Sequence, residues 1–182
     1  MPSKQQLSTL TAFCTEIGNC NITEDTYFAC ANFLFYTAWF EERIFTAERD
    51  KRQSPSTSKI IAEQLFPQLD LTKYDQYGNY FVQRYLNDPE ASKHRHALQF
   101  QDIHSLESIL IDYRDNQSRN SNLLWIYLMI AYRFRNNMFH GSKGLINLNK
   151  YREQFNLLNH FWDQLLRDIN RIGYYGFNSG TK

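Results

Sequence analysis

Apolar residues recur along this chain at helical spacing, and no segment alternates apolar and polar residues as a half-buried strand does. The longest stripe lies near the end of the chain and stops before Gly173, a residue typical of helix ends. It comprises Tyr151, Phe155, Leu158, Trp162, Leu165, Ile169 and Ile172. Thr23, followed by Glu24 and Asp25, is a good N-cap for a second long helix that runs to about Arg49. The pattern predicts an all-α bundle of long antiparallel helices.

Shorter apolar patterns predict the remaining helices. One carries Leu7, Leu10, Cys14 and Ile17 and ends at Gly18. A polar break over 51–58 is the best linker candidate, and a helix ending near Pro67 follows it. A further helix is predicted over the Tyr-rich stretch 74–85, although Gly78 weakens that pattern, and a turn at 87–89 ends it. Another is marked by apolar residues from Ile103 to Tyr113 and stops in the polar run 116–122, and the next covers about 121–140.

Composition favours a folded domain rather than a disordered chain. Aromatic residues make up 16% of the 182 residues, while there are only 7 Gly and 4 Pro. The formal net charge of +1 is uninformative, but the segment 116–152 has no acidic residue and contains Arg119, Arg133, Arg135, Lys143, Lys150 and Arg152. A locally basic surface, suited to a phosphate-bearing partner, is therefore expected there.

Cellular location is predicted from two features. The three cysteines, Cys14, Cys20 and Cys30, have no paired or metal-ligand spacing, which favours free thiols in a reducing compartment. The chain opens without a signal-peptide pattern, and its apolar run 123–132 is shorter than the roughly 20 residues that span a membrane. A single cytoplasmic domain, 1–182, without membrane association is the expectation.

The residues most suggestive of chemistry follow that apolar run, at Arg135-Asn136-Asn137-Met138-Phe139-His140-Gly141. Asn136 and His140 are four residues apart and share a helical face, and the long side chain of Arg135 can reach toward the imidazole. On RNA, His140 could take the 2′-hydroxyl proton or protonate the leaving oxygen, while Arg135 offsets phosphate charge. No metal or cofactor is required. The alternative is a C-terminal helix cap made by Arg135 and His140.

The stretch from Arg135 to Gly141 resembles the signature of HEPN domains, in which Arg, a following polar residue and a His separated from the Arg by four to six residues form a ribonuclease motif. A weaker resemblance is the aromatic run 35–40 followed by Glu41, which is similar to an early helix of some HEPN groups. The resemblance covers about 24–50 and 104–172, and it leaves 51–103 as an expected insertion. Ser142 stands where toxins of this family that pair with a nucleotidyltransferase often have a modified Tyr, which argues against that mode of regulation.

The resemblance implies a HEPN-like all-α fold, a homodimer with a composite site, and metal-independent cleavage of RNA. Family members serve as toxins or in phage defence beside an antitoxin or other defence-system partner, and some are inactive. The expected function is therefore an endoribonuclease with Arg135, His140 and Asn136 as catalytic residues. The alternative is a non-catalytic HEPN-like module that binds RNA or a protein.

Supporting residues are less sharply defined by the sequence. Glu41 lies on an otherwise apolar helical face, so either Arg135 or Arg133 is its expected partner, unless it is simply exposed. Arg133 and Lys143 are candidate RNA contacts, with an ordinary surface role as the alternative for Arg133. The run Lys93-His94-Arg95-His96 lacks the spacing of a metal site. The Tyr-rich stretch either packs in the core or stacks on bases, and packing is favoured.

Overall fold

The computed structural model describes residues 22–45, 53–98, 103–139 and 145–174, and in these ranges the chain is all-helical and contains no strand. The predicted all-α class is therefore confirmed, while the predicted helix over 7–17 lies outside the described residues. The α-helices are α1 (Glu24–Phe45), α2 (Pro55–Leu65), α3 (Asp75–Val82), α4 (Ala91–Ala97), α5 (Ile103–Asn116), α6 (Ser121–Phe139) and α7 (Arg152–Ile172). Short 3-10 helices cover Phe66–Gln68, Leu71–Tyr74 and Leu145–Tyr151, and a π-helix covers Gln83–Asn87.

Helix α1 begins as its sequence predicts. The Thr23 hydroxyl accepts a hydrogen bond from the Thr26 backbone N–H at 3.3 Å, which is N-cap geometry. Glu24 and Asp25 fill the first turn, where carboxylates complement the helix dipole. The described helix ends at Phe45, and the predicted continuation to Arg49 lies outside the described residues.

Helix α2 begins inside the polar stretch that was expected to be a linker, at Pro55 rather than after residue 58. Ser54 and Thr57 form a capping box, because the Ser54 hydroxyl accepts from the Thr57 N–H at 3.2 Å and the Thr57 hydroxyl accepts from the Ser54 N–H at 2.8 Å. Pro55 occupies the first helical position, where its missing N–H costs nothing. The polar residues of 54–57 are therefore a helix start.

Helices α1 and α7 pack along each other in parallel. Arg152 contacts Asp25 at 3.7 Å, Asp163 contacts Tyr36 at 3.5 Å, and Asn170 contacts Arg43 at 3.1 Å, so both residue numbers increase in the same direction. The antiparallel arrangement predicted for the long helices is wrong for this pair. The chain between them, including α2 to α6, must return to the starting end of α1 before α7 begins.

The described part of the stretch expected to be an insertion, 53–98, belongs to the same core as the long helices. Its fully buried side chains include Ile61, Leu65, Tyr74 and Tyr77. Tyr74, Tyr77 and the neighbouring Phe81 lie in a cluster of aromatic rings around Phe161 and Tyr127, in edge-on or tilted contacts with centroids 5.5–6.1 Å apart. These aromatic residues therefore pack in the core and are not available to stack on bases.

The Tyr-rich stretch is helical despite Gly78, which allows α3 to approach its neighbours closely. A Cβ atom at this position would lie 2.5 Å from the Tyr127 hydroxyl and 2.7 Å from the Tyr113 ring. The glycine is therefore a packing requirement and not a helix-breaking signal. No helix within the described residues is both long and apolar enough to cross a bilayer.

Candidate functional site

Helix α6 carries the Arg–Asn motif on a rigid base. Its first half is enclosed on nearly all sides, and the buried residues are Leu123, Leu124, Ile126, Tyr127, Leu128, Met129, Ile130 and Ala131. Between Tyr132 and Asn137 the side chains are partly exposed, except for Phe134 and Asn137, which are buried. The helix therefore fixes its backbone in the core and presents polar groups near its C-terminal end.

Arg135 is held by a carboxylate from α1. Its Nη2 donates to Oε2 of Glu41 at 3.1 Å, and the two side chains are 30% and 21% exposed, respectively. Of the two partners that the sequence allowed for Glu41, the structure has Arg135. The guanidinium therefore has one edge fixed in the protein, while its exposed part can be approached from solvent.

The two asparagines after Arg135 are placed differently. Oδ1 of Asn136 accepts a long hydrogen bond from Nη1 of Arg135 at 3.5 Å, and its side chain is half-buried. Asn137 is buried and donates to the carbonyl oxygen of Ala97 at 2.7 Å, which fastens α6 to the end of α4. These two roles cannot be told apart from the sequence, because both amides follow the arginine in the same motif.

Arg133 is half-buried, with its guanidinium carbon 5.8 Å from the ring centroid of Tyr132. Its Nε is enclosed and finds no hydrogen-bond acceptor within the part of the chain that the structure describes. His140 and Lys143 lie outside the described residues. The structure thus brings together Glu41, Arg135 and Asn136, whereas the catalytic and RNA-binding roles remain predictions.

The basic surface expected around the motif is partly neutralised. Arg119 makes two hydrogen bonds to Asp75 at 2.8 and 2.7 Å, Arg135 pairs with Glu41, and Arg152 lies 3.7 Å from Asp25. The partner carboxylates lie on α1 and α3, outside the segment 116–152, so the composition of that segment alone does not predict this neutralisation. Lys150, in contrast, lines a pocket beside α6 together with other basic groups.

Two of the four residues in the Lys93–His96 run form ion pairs with glutamates. Lys93 pairs with Glu90 at 2.6 Å, and Arg95 pairs with Glu107 at 2.8 Å while also donating to the carbonyl oxygen of Tyr85. Among the described residues, no group of three or more His, Cys, Asp or Glu side chains is arranged to hold a metal ion.

Cys30 offers no nucleophile at neutral pH. It is a free thiol on α1, and burial raises its pKa to about 11. The thiolate, which is the reactive form, is therefore scarce under physiological conditions.

Comparison of the chain with known protein families, with curated proteins and with solved structures finds no match.

Proposed function

We propose that this protein is a metal-independent endoribonuclease of the HEPN type, which cleaves RNA at a site composed from two protomers. Arg135, Asn136 and His140 are its catalytic residues, and Glu41 positions Arg135. The observation that carries the proposal is the Glu41–Arg135 ion pair, at 3.1 Å. It holds a partly exposed guanidinium at the end of a buried helix, five residues before the histidine in sequence.

The proposed reaction is transfer of the phosphate to the neighbouring 2′-oxygen. His140 removes the 2′-hydroxyl proton as that oxygen attacks phosphorus, and a protonated His140 from the second motif of the dimer gives a proton to the departing 5′-oxygen. The products are a 2′,3′-cyclic phosphate and a 5′-hydroxyl. Arg135 binds the non-bridging oxygens and offsets the charge that builds up on them. Asn136 helps to orient the guanidinium or contacts the phosphate, and Arg133 and Lys143 contact flanking RNA.

The biological role proposed from the resemblance is that of a toxin or phage-defence nuclease acting on cytoplasmic RNA. Such an enzyme requires restraint, so an antitoxin or another defence-system protein is the expected partner. A composite site further requires a homodimer. Specific activity should therefore fall when the protein is diluted below its dimer dissociation constant.

The direct test is incubation of end-labelled single-stranded RNA with the purified protein in EDTA. The His140→Ala and Arg135→Ala variants should each lose cleavage by at least about 100-fold, as expected for loss of an acid–base group or a transition-state cation. Arg114→Ala is the matched control, since Arg114 is a surface arginine on α5. An all-deoxy substrate should remain intact. Equal traces of cleavage in all variants would refute the nuclease proposal.

A non-catalytic module that binds RNA or a protein is the second candidate, and two observations favour it. The ion pair with Glu41 gives Arg135 a structural role that needs no substrate. Phe35 and Trp39 are 65% and 50% exposed on α1, beside a groove of about 450 Å³ between α1 and α7, and exposed aromatic residues are common in binding surfaces. This candidate predicts that RNA or protein is retained but never cleaved.

A further inference from the structure

A second polar pocket lies beside α6, on the side where Phe134 contributes to its wall. It has a volume of about 370 Å³ and is bounded by the π-helix, α4 and the start of α7. The polar side chains that line it are Arg84, Glu90, Lys93, His94, Lys150 and Gln154. A π-helix is rare and is often found at functional sites, and this one contributes Arg84 and Tyr85 to the wall of the pocket.

Arg84, from the π-helix, is the central cation of the pocket. The buried Gln154 amide lies against its guanidinium, with one amide atom 2.5–2.9 Å from Nη1, Nη2 and Nε. Nη2 lies 3.2 Å from Nδ1 of His94. No carboxylate in the described ranges forms an ion pair with Arg84. A half-buried guanidinium that is oriented by neutral groups and lacks a counter-charge is suited to an external anion.

The other charges leave the pocket positive. Lys93 is neutralised by Glu90 at 2.6 Å, at the rim. Lys150 is exposed and has no carboxylate partner among the residues that the structure describes. Arg84 and Lys150 therefore approach the same space from two different elements, and neither charge is cancelled within the described protein.

His94 adds a titratable group to this pair. Because a guanidinium can only donate, Nδ1 of His94 accepts from Arg84, which places the proton of the neutral ring on Nε2. Burial and the nearby Arg84 charge lower the pKa of His94, against the opposing effects of Asp88, 3.6 Å from Nε2, and of Glu90. An anion bound beside Arg84 would favour the protonated ring and thus raise this pKa.

We propose that this pocket binds a phosphate group, held by Arg84 and Lys150 and supported by His94. The planar guanidinium matches the geometry of phosphate oxygens, and the volume admits a phosphate with an attached nucleoside. The phosphate belongs either to an RNA backbone or to a free nucleotide, which share this chemistry. Neither Arg135 nor Asn136 lines the pocket, so the proposal stands if the protein proves not to cleave RNA.

Binding is tested by calorimetry with uridine 5′-monophosphate, with uridine as the unphosphorylated control, and with a single-stranded oligoribonucleotide lacking terminal phosphates. Arg84→Gln should weaken binding by at least tenfold and Lys150→Gln by about threefold, while Arg114→Gln and Lys73→Gln, exposed cations elsewhere on the protein, should have no effect. Lys150 is exposed, so its variant remains informative if Arg84→Gln fails to fold.

The two sources of the phosphate are distinguished by which ligand loses affinity in the variants. If the variants bind the mononucleotide more weakly, the pocket takes a free nucleotide. If they weaken only the RNA, with a salt dependence reduced by about 0.7 in log–log slope per lost contact, it takes a backbone phosphate. Absence of mononucleotide binding together with unchanged RNA affinity in both variants would overturn the proposal, as would equal losses in the two control variants.

NMR titration of the His94 ring provides a second measurement, with its signal identified by comparison with His94→Gln. Arg84, Asp88, Glu90, Lys93 and Lys150 are the charged groups around this ring. Saturating uridine 5′-monophosphate, or the oligoribonucleotide where that is the ligand, should raise the midpoint of the His94 titration. A midpoint that is unchanged by saturating ligand would contradict the participation of His94.

Discussion

Arg135 and Glu41 are 94 residues apart in sequence, yet Nη2 of the arginine lies 3.1 Å from Oε2 of the glutamate, across the contact between α6 and α1. The pair is partly exposed, so its contribution to stability is modest, of the order of 1 kcal/mol or less. Its larger consequence is geometric, because it restricts the directions in which the guanidinium can point.

Glu41→Gln tests this positioning role. The amide preserves the shape of the side chain but removes the charge, so Arg135 should be held less firmly. We expect kcat for RNA cleavage to fall by about tenfold with KM changed less than twofold, since the loss is in transition-state orientation. Glu63→Gln, at an exposed position on α2, is the control. A purely structural role would instead lower the melting temperature and leave kcat per folded molecule unchanged.

The consecutive residues Asn136 and Asn137 should respond in opposite ways. Asn137→Ala leaves the buried carbonyl oxygen of Ala97 without its 2.7 Å donor, so it should reduce the free energy of unfolding by about 1–3 kcal/mol. Asn136→Ala, at a half-buried position beside Arg135, should change stability by less than about 1 kcal/mol but reduce cleavage. Chemical denaturation and RNA cleavage, measured on both variants, check the contrast. The reverse pattern would mean that Asn137 is the functional amide.

The sequence predicts the bounds of a helix well where residues within or next to that helix determine them. The stripe from Phe155 to Ile169 and the stop at Gly173, which has the left-handed φ of 67°, predict α7 to within a residue or two. Thr23 predicts the start of α1 in the same way. These features are local, so neighbouring elements do not alter them.

The relative direction of helices is not encoded in such stripes, because an apolar face looks the same to a parallel or an antiparallel partner. The parallel packing of α1 and α7 was therefore missed. The phosphate pocket was missed for a related reason. Arg84, His94 and Lys150 are dispersed over 67 positions of sequence, and they come together only where the π-helix, α4 and the 3-10 helix Leu145–Tyr151 meet. The Arg135–Glu41 pair could be anticipated from the sequence as one of two pairings, because a carboxylate on an apolar helical face requires a partner.

Gly78→Ala should destabilise the protein, even though alanine is the better helix former by up to about 1 kcal/mol. The new Cβ would lie 2.5 Å from the Tyr127 hydroxyl and 2.7 Å from the Tyr113 ring, so α3 must shift outward. Overpacking of this kind costs about 1–3 kcal/mol, which should exceed the gain in helix propensity. Equilibrium denaturation measures the net change.

Tyr127→Phe is the informative companion to Gly78→Ala. The Tyr127 hydroxyl is buried and finds no hydrogen-bond partner among the described residues, so its removal alone should be nearly neutral. In the double variant it removes the nearest clashing atom and should recover part of the loss. Additive effects of the two substitutions would show that the hydroxyl contact is not the cause.

The pH dependence of stability should report the ion pair between Asp75 and Arg119. The arginine donates to both carboxylate oxygens, at 2.8 and 2.7 Å, and this hydrogen bonding holds the pKa of Asp75 below its usual value of 3.8. Because the pKa in the folded state is depressed, the unfolded chain binds more protons in acid. The contribution is therefore complete above about pH 5 and is lost as the pH falls through 3.8 toward the folded-state pKa.

Asp75→Asn should remove about 1 kcal/mol of stability at pH 7 and flatten the decline between about pH 5 and pH 3, as measured by urea denaturation at each pH. Arg119→Gln should act similarly, and the double variant should lose less than the sum of the two. Asp115→Asn is the control. The pKa of Asp115 is also lowered, by Arg114, but these two residues are adjacent in sequence and remain close in the unfolded chain. An equal flattening in Asp115→Asn would show that the acid sensitivity does not come from the tertiary ion pair.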